Sequence, residues 1–137
     1  MQPFHLAITV DDLGAAERFY VDRLGAGIGR RAERWIDFDL GGHQVSAHLD
    51  EDKRTRNAHN PVDGDDVPVP HFGLVLEMGT WRELADALEA AGTEFVLEPR
   101  IRFEGEVGEQ ATMFLRDPAG NTLEFKAFGD PQQLFAS

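Results

Sequence analysis

The chain contains no cysteine. That rules out disulfides, iron–sulfur clusters and thiolate zinc sites, and leaves imidazole and carboxylate as its strong metal ligands. It also has no apolar run near the ~18 residues a spanning helix needs. Its start lacks the basic, apolar, small-residue order of a signal peptide, which predicts a cytoplasmic protein. Positive charge is scarce, with 13 Lys and Arg against 25 Asp and Glu, a formal net charge of −12. That balance disfavours nucleic acid and anionic membrane surfaces as partners. Gly25, Gly27 and Gly29 follow a helix-like run rather than joining a strand to a helix, so they do not form a phosphate loop. No nucleophile-elbow sequence occurs. What is present, 137 residues that are 42% hydrophobic and 28% charged, suffices for one ordinary globular domain with a core.

One stretch is stated twice. Phe4-His5-Leu6-Ala7-Ile8 near the start is echoed by Pro70-His71-Phe72-Gly73-Leu74, a shift of 66 positions (71 − 5). Each copy puts a histidine at the start of an alternating strand. Each is followed by a helical run, Gly14 to Leu24 and Thr80 to Ala91, in which Glu17 lands on Glu83. In order, residues 4–10 read as a strand and Asp11-Asp12 as an N-cap for a helix over about 12–24. Trp35 to Leu40 and His43 to Leu49 flank a Gly41-Gly42 hairpin turn. The second half gives a strand over 71–77, a helix closed by Gly92, a short strand before Pro99, a charged loop over 100–110, and strands over 111–115 and 122–128 around Asp117-Pro118-Ala119-Gly120-Asn121. Gly27 to Ala32 and Glu94 to Leu97 supply one further strand in each half. The order β-α-β-β-β repeats, so the expected class is α+β with helices on one face of antiparallel-rich sheets. The expected division is module one over about 1–50, a connection over about 51–69, module two over about 70–128 and a tail over 129–137, all within a single domain. Residues 51–69 read either as a linker or as an ordered flap in which His59 and Asn60 make the polar contacts. The tail reads as an extended arm or a short docking turn.

Alternation assigns faces. Val45, Ala47 and Leu49 must cover a helix, so Gln44, Ser46 and His48 point the other way. Leu123 and Phe125 do the same for Thr122, Glu124 and Lys126. With His5 and His71, these residues would line one cavity if the halves pair about a pseudo-twofold. His5, His71 and Glu124 then offer two neutral imidazoles and a carboxylate, a donor set for divalent Fe, Mn, Co, Ni or Zn. A lone strand histidine is usually structural, and a glutamate between apolar neighbours is usually a solvated face; the echo of His5 at His71 raises the ligand reading. His48 stands as a fourth ligand or an acid/base beside the site. His43, next to the turn, reads as a surface residue unless a bulge reverses its facing. Arg100, Arg102 and Lys126 could hold a substrate carboxylate, or be scattered surface charges.

The run from Phe4 to Gly25, the His71-Phe72-Gly73 strand and the closing DPAGNTLEF resemble the vicinal oxygen chelate superfamily. That group holds glyoxalase I, extradiol ring-cleaving dioxygenases, methylmalonyl-CoA epimerase, and fosfomycin and bleomycin resistance proteins. More narrowly, HNPVDGDDVPVPHFGLVLE and RFEGEVGEQATMFLRDPAGNTLEFKAF resemble bacterial proteins described as extradiol-type dioxygenases. The resemblance spans essentially the whole chain. It implies two βαβββ modules forming a half-open mixed-sheet cup, with one divalent ion per chain, Fe(II) first and Mn, Ni, Co or Zn after it. The implied ligands are His5, His71 and Glu124. The family's fourth position, Glu in glyoxalase I and Gln in the epimerase, falls on His48 in this reading. An extradiol enzyme would use His43 or His48 as its second-sphere base. Gln44, Ser46, Arg102 and Lys126 would contact a small substrate that chelates the metal through adjacent oxygens. The expected activity is a dioxygenase, with a glyoxalase-like lyase or an epimerase second and a non-catalytic binding protein third; the expected assembly is a homodimer.

Overall fold

The computed structural model describes residues 2–53, 58–62 and 65–136, and the side chains of 58–62, 65 and 66 lie outside that description. The chain divides into two compact units. The first is residues 1–56 with the turn 117–121, and the second is 57–116 with 122–137.

The first unit opens with β1 (His5–Val10), in which Leu6, Ile8 and Val10 are covered while His5, Ala7 and Thr9 are exposed. Helix α1 (Leu13–Glu17) begins under an Asp12 cap whose side chain accepts from the Ala15 amide at 3.0 Å. It widens over Arg18–Arg23 into π-helical turns, with Leu24 N–H reaching back to the Phe19 carbonyl. Gly25, at φ 75°, closes it, and the Ala26 amide bonds the Tyr20 carbonyl six residues back. The Gly25 amide bonds the Val21 carbonyl four residues back, the αL ending in which glycine takes the left-handed conformation without strain. Strands β2 (Gly27–Ala32), β3 (Trp35–Leu40) and β4 (His43–Leu49) complete a sheet of order β1-β4-β3-β2. β1 runs parallel to β4, and the other pairs are antiparallel. Ile36, Phe38, Leu40, Val45 and Ala47 are buried with Ala16 and Tyr20, as the alternation requires.

The second unit repeats the plan. Strand β7 (Phe72–Leu76) is parallel to β10 (Thr122–Phe128), which pairs antiparallel with β9 (Gln110–Arg116), which in turn pairs with β8 (Phe95–Arg102). The order β7-β10-β9-β8 matches the first sheet position for position. Helix α2 (Met78–Ala90) packs Trp81, Ala85 and Leu88 on the sheet's apolar face. The Trp81 indole N–H donates to the buried Phe125 carbonyl at 2.9 Å, so its polar atom is satisfied inside the core. His71 lies just ahead of β7, and Glu77 takes the capping position of α2 rather than the end of the strand.

Two stretches differ from the sequence reading. The strand expected to stop before Pro99 continues to Arg102. β8 is an edge strand with register shifts between Phe95 and Leu97 and between Leu97 and Arg100. An edge with bulges is where a strand accepts a proline, because the missing N–H need not face a neighbour. Residues 51–69, read as a connection without regular structure, contain a hairpin of β5 (Ala58–Val62) and β6 (Asp65–Val69). Its Val67 and Pro68 are buried. The flap contacts expected of His59 and Asn60 lie outside the described residues. The tail forms a short 3₁₀ turn, Pro131–Phe135, capped by Asp130.

Candidate metal centre and pocket

In the second unit, the face of the sheet away from α2 carries a cavity of about 220 Å³. Parity puts Glu124 and Lys126 of β10 and Thr112 and Phe114 of β9 on this face, and His71 enters it from the start of β7. His71 Nε2 lies 3.3 Å from Glu124 Oε1. Both groups are held from behind. His71 Nδ1 is 2.7 Å from the Pro68 carbonyl oxygen, which can only accept, so Nδ1 carries a hydrogen and Nε2 is the nitrogen turned to Glu124. Glu124 Oε2 accepts from the Thr112 hydroxyl at 2.7 Å. The Phe114 ring meets the imidazole edge-on, with centroids 4.9 Å apart. Two donors 3.3 Å apart are close enough to share one ion at ordinary metal–donor bond lengths of ~2.1 Å. The pair therefore fits one divalent ion, with the outer hydrogen bonds that usually orient metal ligands already in place.

The first unit builds a second polar face. His5 Nδ1 is 2.7 Å from Gln44 Oε1, Gln44 Nε2 donates to Asp37 Oδ2 at 3.2 Å, and the Ser46 hydroxyl donates to Asp37 Oδ1 at 2.6 Å. Gln44 and Ser46, expected to touch substrate, thus spend these polar atoms on Asp37 and His5. Asp37 itself escaped the sequence reading, although its parity in β3 places it beside Ser46. His48 is exposed on the same face, opposite Thr9 and Trp35.

Register separates His48 from the rung assumed for it. Glu124 pairs with Gly73, two residues after His71. The matching residue in β1, two after His5, is Ala7, and it pairs with Ser46. Ser46, not His48, therefore occupies the first unit's counterpart of Glu124, and His48 corresponds to Lys126. His43 keeps the parity of Val45, because β3 and β4 pair without a bulge, and its Nδ1 accepts the Phe4 amide at 2.9 Å. The bulge on which its second-sphere role depended does not exist. Among the described residues no group of three His, Asp or Glu side chains is placed to hold a metal ion. The geometry brings together His71 and Glu124 of the expected triad, while His5 belongs to the other unit.

The glyoxalase/bleomycin resistance protein/dioxygenase superfamily model matches residues 2–125. The chain belongs to that superfamily. A crystal structure of a member from Alicyclobacillus acidocaldarius, bearing that same superfamily description, is 32% identical, with a TM-score of 0.78 over 98% of this chain and 96% of that one. Lactoylglutathione lyase from Agrobacterium tumefaciens is 23% identical, with a TM-score of 0.68 over 98% of this chain and 96% of that one. A fosfomycin resistance protein from Listeria monocytogenes is 16% identical, with a TM-score of 0.70 over 97% of each chain. The last two likenesses concern the fold. No curated protein sequence matches the chain. Among its described residues, this superfamily member has no helix long and apolar enough to cross a membrane.

Proposed function

We propose that this protein is a metal-dependent enzyme acting on a small substrate with adjacent oxygens, and that its reaction is an extradiol-type dioxygenation. The observation that carries the reading is the His71–Glu124 pair, 3.3 Å apart in a cavity and held from behind by Pro68 and Thr112. His5 is the proposed third ligand. It is supported by its echo of His71 in sequence and by an Nδ1 tied to Gln44, which leaves Nε2 open. One divalent ion, Fe(II) first, would supply Lewis acidity and dioxygen activation.

The reaction class follows from the rung opposite Ala7. A serine hydroxyl there is a far weaker ligand than the glutamate of the second unit. The donor set is then two histidines and one carboxylate, the set that leaves positions open for substrate and dioxygen. His48, on the same face as His5 and solvent-accessible, is the proposed acid/base that accepts a substrate hydroxyl proton. A homodimer is part of this reading and would sediment at twice the chain mass.

Metal analysis of anaerobically purified protein, followed by oxygen uptake with a catechol panel, tests the proposal. The expected result is one ion per chain and stoichiometric oxygen consumption with ring cleavage. Glu124→Ala should lose the metal and at least about a hundredfold in turnover, with circular dichroism unchanged. Metal-dependent isomerisation of a hemithioacetal without oxygen uptake would replace dioxygenase with the lyase alternative. Stoichiometric metal retained in Glu124→Ala would refute the centre itself.

A further inference from the structure

The cavity of the second unit inverts the charge of the chain. Lys and Arg number 13 against 25 Asp and Glu overall. Yet the described residues lining the cavity include Arg100, Arg102 and Lys126 against the one carboxylate of Glu124. The extension of β8 past Pro99 produces this arrangement. It pairs Arg100 with Thr112, which pairs with Lys126, so a single row across three strands carries two cations. Arg102 pairs with Gln110 on the next row, its guanidinium 5.6 Å from the Phe103 ring. Leu97, Phe114 and Glu124 form the row on the other side. Rows on one face lie two residues apart, about 6–7 Å. Cationic charge therefore begins one rung from the Glu124 oxygen that faces His71.

We infer that Arg100, Arg102 and Lys126 form an anion subsite, and that the substrate is a compact organic acid whose carboxylate lies about one rung from its chelating oxygens. The placement of those oxygens rests on the proposed metal centre; the anion subsite does not. All three cations are half-buried. A carboxylate seated among them takes charge-assisted hydrogen bonds, which partial burial strengthens relative to an open surface. The guanidinium forks suit its two oxygens, and the lysine adds a point charge from the neighbouring strand. The volume suits a single-ring or short-chain acid.

Calorimetric titration of the full chain, metal-loaded and metal-free, with catechol, 3,4-dihydroxybenzoate and benzoate tests this. Loaded protein should bind dihydroxybenzoate at least about tenfold more tightly than catechol. Metal-free protein should bind benzoate. Lys126→Met and Arg102→Met should each remove most of the preference and weaken benzoate binding, while Lys126→Arg restores both. Benzoate binding that responds to these variants, in a protein whose metal adds nothing to catechol affinity, would uphold the anion subsite and sink the chelation reading. Equal affinities for catechol and dihydroxybenzoate, or benzoate binding indifferent to both methionine variants, would overturn the subsite whatever the metal does.

Discussion

A carboxylate can only accept hydrogen bonds, so the Ser46 hydroxyl and the Gln44 amide nitrogen must both donate to Asp37. The Gln44 oxygen is then the atom left facing His5, and the His5 hydrogen is drawn to Nδ1. Pro68 likewise draws a hydrogen to Nδ1 of His71. Two histidines on two sheets thus carry a hydrogen on Nδ1, one through a side-chain relay and one through a backbone carbonyl. Asp37→Asn tests the relay, because an asparagine can donate as well as accept and no longer fixes which way Gln44 turns. Nitrogen-detected NMR of the metal-free protein should show the Nδ1–H form of His5 in the native chain and a mixture in the variant. Metal affinity should fall about tenfold to a hundredfold. An unchanged His5 tautomer in the variant would show that Asp37 does not set it.

The parallel pairing of β7 with β10 is what puts Glu124 beside His71, and Gly73 permits it. A Cβ built on Gly73 would overlap the Glu124 carbonyl oxygen. In β1 the matching residue, Ala7, already carries a Cβ opposite Ser46, so the two sheets share an order but not a local spacing. Gly73→Ala should cost roughly 1–3 kcal/mol, the usual range for overpacking, and lower the thermal midpoint, whereas Ala7→Gly should cost less than about 1 kcal/mol. Equal midpoints for Gly73→Ala and the native protein would remove the steric argument. The same strands show what the sequence could reveal. Parity alone placed Glu124 opposite Phe125 and Gln44, Ser46 and His48 opposite Val45, because a buried face tolerates no slip. Parity names a face but not a rung. Matching Ser46 rather than His48 to Glu124 needed the β1–β4 register. Pro99 read as a stop because its edge position is a tertiary fact. The β5–β6 hairpin was hidden by its Pro, Asp and Gly content, which reads as loop. Arg100 and Arg102 were legible as cations, but only the continuation of β8 turns them toward the pocket that Lys126 also lines.

Stability of the whole chain has one titrating group that can be watched directly. Tyr20 is the only tyrosine among the 137 residues. It is fully buried, stacked on Phe38 with centroids 5.0 Å apart, and its hydroxyl donates to the buried Asp117 at 2.8 Å. Asp117 also accepts from the amides of Ala119 and Asn121 and from the Asn121 side chain. One carboxylate therefore ties the helix of the first unit to the turn 117–121. Burial, then the charge of Asp117, then the hydrogen bond to it push the Tyr20 pKa well above 10.0. A group whose native pKa is raised contributes stability that is complete below its unfolded pKa and is lost as pH climbs toward the native one. The window accordingly opens near pH 10 and extends upward. Within it the unfolded chain ionises and the native chain does not, which removes about 1.4 kcal/mol per pH unit. Tyr20→Phe should be less stable than the native protein at neutral pH by about 1–3 kcal/mol, the cost of a lost buried hydrogen bond. The difference should shrink steadily above pH 10. Near-ultraviolet absorbance of tyrosinate, free of interference from any other tyrosine, should appear in step with unfolding rather than ahead of it. Tyrosinate formed near pH 10 in a chain that keeps its native circular dichroism would show that the Tyr20–Asp117 lock is open to solvent, and that alkaline stability is set elsewhere.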